Sequence, residues 1–410
     1  MPPLPVELFI QIINCLDPGE DKKTLAASSL VSKTWLDIAH PVFFQHISIR
    51  LNPQAKPLSP RLPLIQRHVH RVRTLSFESG WIGSGIRRPT IRLVTLLKIT
   101  TWFPNLKELE ISGAYIEPKC SMPSGVRRPQ PSVKTIVLDS VLFISSPIHP
   151  KPPMLAYFFA LWPATERILC RTAVEQDPVV LDSPEIQVAS PLRTLSCSSM
   201  YDGYFPQFVE NIQPFIKSLE TLDYVGGYWT SFSLLLKESK GHLESLKTLR
   251  IGVDSKDILG KCAWTLDRLE EYWSNLDLRA FAALCNVNLV IKKDGFLTHT
   301  YILPTLPDSV RTLTFELDWE PEDNSELYLM GLDPSHLDGC VSRGLDRITF
   351  MPHYLGQELT PSAEKDIRAH LAELDSKGIL HVARHCERVE GCHYSKRKKI
   401  RQIVNSSLLG

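Results

Sequence analysis

The sequence predicts an α/β fold: a curved parallel sheet with helices on its convex face, entered through a short three-helix segment. Three observations predict it. A six-residue phrase with apolar residues at offsets 0, 3 and 5 returns along the chain. Helix-compatible stretches precede several of its copies. The first forty residues carry their apolar positions at helical rather than strand spacing.

The helical segment opens with "LPVELFIQII" at Leu4. Leu8, Ile12, Ile13 and Leu16 recur at helical spacing, and Pro5 suits a first helical turn. Glu7, Gln11 and Asn14 interrupt the apolar run and no Lys or Arg precedes it, which argues against a secretory signal. "DPGEDKK" then breaks the pattern with a Pro-Gly turn. Leu25, Leu30 and Val31 form a second stripe. Trp35, Leu36, Ile38 and Ala39 form a third, with Pro41 closing it. Three helices in about 40 residues fall below the size at which a core is usually self-sufficient. The segment is therefore expected to complete its burial against another surface.

In order, Leu4-Pro5-Val6-Glu7-Leu8, Ile12, Ile13, Leu16, Leu25, Ser28, Leu30 and Val31-Ser32-Lys33-Thr34-Trp35 resemble an F-box. The resemblance implies docking on the Skp adaptor of a cullin-RING ubiquitin ligase, through Leu4, Pro5, Leu8, Ile12, Leu30, Val31 and Trp35. The chain departs from the common pattern in Ser32, where Cys is frequent, and in a longer charged link at Asp17–Lys23. Apart from that resemblance, the three helices read as an ordinary helical cap on a repeat domain.

The repeated phrase is "VRTLSF" at Val72, "LKELEI" at Leu106, "VKTIVL" at Val133, "LRTLSC" at Leu192 and "LETLDY" at Leu219. It returns as "LKTLRI" at Leu246, "VRTLTF" at Val310 and "LDRITF" at Leu345, with a weaker "TERILC" at Thr165. Leu106 to Val133, Leu192 to Leu219 and Leu219 to Leu246 are each 27 residues. The longer interval from Leu246 to Val310 has room for a degenerate copy near Val287, Leu289 and Ile291. A period in the twenties with L-x-x-L-x-L is the signature of leucine-rich repeats, one short strand per repeat with helices outside. The usual asparagine at offset 8 is replaced by Gly80, Ala114, Met200, Gly227 and Asp318, so the array resembles the divergent repeats that follow F-boxes. "QHISIRL" is expected to supply the first strand, and "GILHVARH" a closing one after the amphipathic stretch Ala363–Leu374. The predicted organisation is an F-box at 1–45, a first strand and Pro-rich linker at 46–71, repeats at 72–384 and a basic tail at 385–410.

Lys and Arg total 46 against 45 Asp and Glu, which leaves no long-range field for nucleic acid or an anionic membrane. The nine cysteines are scattered without a CxxC and read as free thiols of a reducing compartment. The longest apolar run, Met154 to Trp162, is far shorter than the ~20 residues of a spanning helix. A soluble protein of the cytoplasm and/or nucleus is expected.

Two features bear on target binding. "GIRRP" at Gly85 and "GVRRP" at Gly125 follow neighbouring strands, so Arg87, Arg88, Arg127 and Arg128 either grip an acidic or phosphorylated segment or form two solvated loops. At offset 9 stand Trp81, Tyr115, Tyr201, Tyr228, Trp319 and Tyr354. They form either a recognition edge or a packing ladder. His381, His385, Cys386, Cys392 and His393 lack a zinc-finger spacing, and no metal or other cofactor is assigned. "SKRKKIR" suits a nuclear import signal or a soluble tail equally. No catalytic set stands out. The expected function is non-enzymatic: the substrate receptor of an SCF-type ubiquitin ligase, or a repeat scaffold acting outside one.

Overall fold

The computed structural model describes residues 5–51, 68–79, 88–117, 133–144, 155, 158–159, 161–176, 192–198, 208, 212–227, 232, 235–237, 240–253, 277–291, 302–318, 329, 332–353 and 357–386. The chain forms two compact units: Met1–Arg193 with Glu210–Phe215, and Thr194–Val209 with Ile216–Gly410. The Pro-rich linker at 52–67 and the tail from 387 lie outside the described residues.

The first unit begins with three helices, α1 (Val6–Asn14), α2 (Lys22–Ser29) and α3 (Lys33–Phe43). Pro5 is the N-cap of α1, one place before the first turn. The Ser32 hydroxyl caps α3 by accepting from the Trp35 backbone N–H at 3.3 Å. Pro41 does not close α3 as the sequence suggested. It lies in the last turn, where its missing N–H removes only the helical bond to the Asp37 carbonyl, and the helix runs on to Phe43. Ile13, Leu25, Ala39 and Val42 form a small core, with Leu16, Trp35, Ile38 and Phe43 packed against it.

Next come β1 (His46–Leu51), β2 (Thr74–Ser79), β3 (Thr90–Arg92), α4 (Leu93–Thr100), β4 (Glu108–Ser112), β5 (Tyr115–Glu117), β6 (Thr135–Ile144) and β7 (Arg167–Gln176). The order β1-β2-β4-β6-β7 is parallel throughout. Thr74, Glu108, Thr135 and Arg167 pair in turn, each the third residue of its phrase, so the copies stack without slippage. Register is enforced because a one-residue slip would turn every apolar offset outward. Val72, Leu75, Phe77, Leu106, Leu109 and Ile111 are accordingly buried. After offset 7 the chain turns a corner, with φ of 67° at Gly113 and 56° at Ser140. Only glycine adopts such a φ freely, and a Cβ at Gly113 would also sit 3.0 Å from the Ser79 Cβ. Beyond the corner a second parallel ladder pairs Thr90 with Tyr115 and Tyr115 with Leu142. Ala114, Ile116, Val141 and Phe143 are buried, so offsets 8 and 10 face inward.

The second unit carries β8 (Thr194–Ser198), β9 (Thr221–Gly227), β10 (Thr248–Val253), β11 (Asn286–Ile291), β12 (Thr312–Leu317), α5 (Pro334–Ser342), β13 (Arg347–Pro352), α6 (Pro361–His370), α7 (Ala372–Ser376) and β14 (Leu380–Val382). These strands pair in chain order, all parallel. Thr194, Thr221, Thr248, Asn286, Thr312 and Arg347 share one register row. β11 fills the long interval, and its copy of the phrase starts at Leu284. The Ala363–Leu374 stretch is divided between α6 and α7, which part at Leu371 (φ −113°, ψ 37°). Short helical turns at Leu278–Ala280 and Leu303–Thr305 come shortly before β11 and β12. Tyr224 lies 5.2 Å from Phe232, and Phe315 stacks on Phe350 at 4.6 Å. Each buried Leu or Phe of these rows contributes about 1.5–3 kcal/mol. Among the described residues, no helix is long and apolar enough to cross a membrane.

Candidate docking site

α1 buries one stripe, with Ile13 inside and Phe9 and Leu16 partly covered. At about 100° per residue, Leu8 and Ile12 lie on one flank of that stripe and Val6 and Ile10 on the other. Both flanks are apolar and exposed. Among the described residues, the exposed large apolar side chains are Val6, Leu8, Ile10, Ile12, Leu30, Val31 and Leu36, all in the three N-terminal helices or the α2–α3 turn. Leu30 is 86% exposed and Val31 67%. They occupy the tight turn after α2, where the N–H groups of Leu30 and Val31 return to the carbonyls of Ala27 and Ser28. Folding leaves them outside because α2 buries only Leu25.

The sequence-predicted residues fall unevenly on this face. Pro5, Leu8, Ile12, Leu30 and Val31 are exposed. Trp35 is half-buried, its ring 4.6 Å from Phe9 and packed against the small core. Leu4 lies outside the described residues. Val6, Ile10 and Leu36 were not among the predicted contacts, although the apolar character of α1 on both flanks signalled the first two.

Of the arginine loops, Arg87, Arg127 and Arg128 lie outside the described residues. Arg88 is half-buried, and its Nη1 donates to the Ser140 carbonyl at 3.0 Å, bracing the left-handed corner of β6. Of the offset-9 aromatics, Tyr115 is half-buried between Thr90 and Leu142 in the second ladder. Trp81, Tyr201, Tyr228, Trp319 and Tyr354 lie outside the described residues.

Two polar clusters, missed in the sequence, occupy the sheet faces opposite the core. In the first unit His46 Nε2 lies 2.8 Å from Ser76 Oγ, and the Ser76 hydroxyl donates to Glu110. In the second, Arg250 donates to Glu316 through Nε at 2.8 Å and Nη2 at 2.6 Å, and to Asp223 through Nη1 at 2.9 Å. His353 Nδ1 lies 2.9 Å from Glu316. Burial disfavours the charge on Arg250, but Glu316 and Asp223 outweigh it and hold the guanidinium protonated well above its usual range. Burial pushes the Cys170 thiol up, which keeps it unreactive. Both clusters spend their polar atoms on one another, and fully buried Ser76 gives its proton to a carboxylate. Neither is built as a nucleophile with a base. Their signal was a charge at offset 4 of the phrase (Glu110, Asp223, Arg250). Among the described residues no group of three His, Cys, Asp or Glu is placed to hold a metal. The chain matches no family model and no curated protein.

Proposed function

We propose that this chain is a substrate-recognition subunit of an SCF-type ubiquitin ligase, with α1–α3 docking on a Skp-type adaptor and the repeats holding a protein target. The observation that supports it most is that, among the described residues, the exposed large apolar side chains are confined to residues 6–36. Exposed large apolar side chains gathered in one short segment mark an interaction site, whereas ones scattered singly do not. Burying side chains as exposed as Leu30 and Val31 contributes about 1.5–3 kcal/mol each. The ordered F-box-like anchors select the adaptor as the occupant. The parallel strand arrays suit a recognition scaffold that supplies proximity for another enzyme's chemistry.

The test is co-purification of the adaptor and cullin with the tagged full chain. Leu30→Glu with Val31→Glu should abolish recovery of both. Leu4→Ala with Pro5→Ala should weaken it while the repeats remain folded. Full adaptor recovery by the glutamate variant, or none by the wild type, would leave a scaffold acting outside a ligase.

A further inference from the structure

The three N-terminal helices are joined to the first strands by more than chain continuity. The α1–α2 turn is fixed by Asp17, whose carboxylate accepts from the Gly19 and Glu20 backbone N–H groups at 2.7 and 2.8 Å. The Asp21 carboxylate accepts from the Asp17 N–H at 2.8 Å. This turn lies on the free face of β1: a methyl group at Gly19 would stand 2.5 Å from His46 Nδ1 and 2.9 Å from its Cε1. His46, Ser76 and Glu110 are each at most 9% exposed, although they sit on β1, β2 and β4 on the face opposite the core. Because the Ser76 hydroxyl donates to Glu110, its oxygen accepts from His46, whose Nε2 therefore carries a hydrogen. The relay runs one way, from imidazole N–H to hydroxyl to carboxylate, and such chains strengthen one another away from water. Beside it, Lys22 at the start of α2 is close enough to Glu78 of β2 to feel its charge. Burial nonetheless pulls the Lys22 ammonium below its ordinary range. Behind it, Phe44 stacks on His68 at 4.2 Å, and His40 of α3 meets both rings.

We infer that His46 is the keystone of a fixed mount. The glycine at position 19 lets the α1–α2 turn close onto an imidazole ring that Ser76 and Glu110 hold in place. The helices and strands β1, β2 and β4 then behave as one rigid body. Two consequences follow. Anything docked on α1–α3 is held at a set orientation to this strand array, and the free face of β1–β2 is closed to ligands. The inference stands whether or not the docked partner is a Skp-type adaptor.

Native-state hydrogen exchange on the full chain tests it. In the wild type, amides of residues 6–43, 46–51 and 68–79 should open together, with a common denaturant dependence. Separate dependences would overturn the mount without any variant. Gly19→Ala should lower protection of α1–α2 and β1–β2 together by about tenfold, and leave residues 221–253 unchanged. The decisive arm is a double-mutant cycle between positions 19 and 76, which meet opposite nitrogens of the His46 ring. Ser76→Ala removes the hydroxyl that anchors Nε2 and lets the ring shift more readily, so adding Gly19→Ala should cost less than about threefold in protection. Equal loss in both backgrounds, loosening of the helices alone, or no loss in Gly19→Ala would overturn the inference.

Discussion

Replacing Arg250 with methionine takes the guanidinium out of a network that holds two carboxylates. Glu316 is fully buried and receives two charge-assisted bonds from Arg250 at 2.8 and 2.6 Å. Asp223, at 21% side-chain exposure, retains access to water and to Ser196, so its share of the loss is smaller. Breaking a buried pair from one side costs about 3–5 kcal/mol, most of it the charge left behind on Glu316. With a urea slope of about 2 kcal/mol per molar, the midpoint of the second unit should fall by roughly 2 M. The loss has a pH signature. With the guanidinium gone, burial pushes Glu316 above the ordinary carboxylate range, even with His353 beside it, so the folded state binds a proton that the unfolded state releases. The variant therefore gains stability as pH falls through that raised value towards the ordinary carboxylate range, and loses it as pH rises through the raised value. Arg250→Met with Glu316→Gln should recover most of the midpoint and abolish the pH dependence. Urea titration read by hydrogen exchange at residues 221–227, 240–253, 286–291 and 302–317 reports this unit separately from residues 46–51 and 68–79. A shift below about 0.5 M in the single variant, or no recovery in the double, would refute the charge argument.

Other outcomes follow from the same packing. Gly252→Ala places a Cβ 2.8 Å from the Val290 Cβ and should destabilise the second unit by about 1–3 kcal/mol, read in the same titration. Leu249→Ala, at an apolar offset with no exposure, should cost about 2–5 kcal/mol, and Thr248→Ala on the other face less than about 1. Native alkylation followed by peptide mass spectrometry should label exposed Cys15 and spare buried Cys170 and Cys197 until urea is added. Glu364 is held below the usual carboxylate range, first by its hydrogen bond from Arg384 and then by Arg368. Its contribution to the packing of α6 against β14 is thus present above that range and lost as pH falls through the lowered value. Exchange at residues 361–370, corrected for the intrinsic pH dependence, checks the sign.

The strands were legible because burial imposes the same three apolar offsets on every copy. Even β11, whose phrase "LCNVNL" carries a cysteine and two asparagines, was located by the space left for it. The exposed face of α1 was legible as well, because a short helix with an apolar arc wider than its core stripe has side chains left over. The polar clusters were not. Arg250 meets partners 27, 66 and 103 residues away, and only the register of intervening strands brings them together. Gly19 read as an ordinary turn residue, since the ring that requires its missing Cβ belongs to β1. Pro41 misled for a different reason: a proline in the last turn of a helix costs one bond and does not end the helix.

The measurement that bears most directly on the central proposal is a calorimetric titration of the full chain with a purified Skp-type adaptor. Saturable one-to-one binding with a negative heat-capacity change is predicted, as for burial of apolar surface. The Leu30→Glu, Val31→Glu variant should give no heat of binding. Absence of binding by the wild type, or equal binding by the variant, would contradict the account.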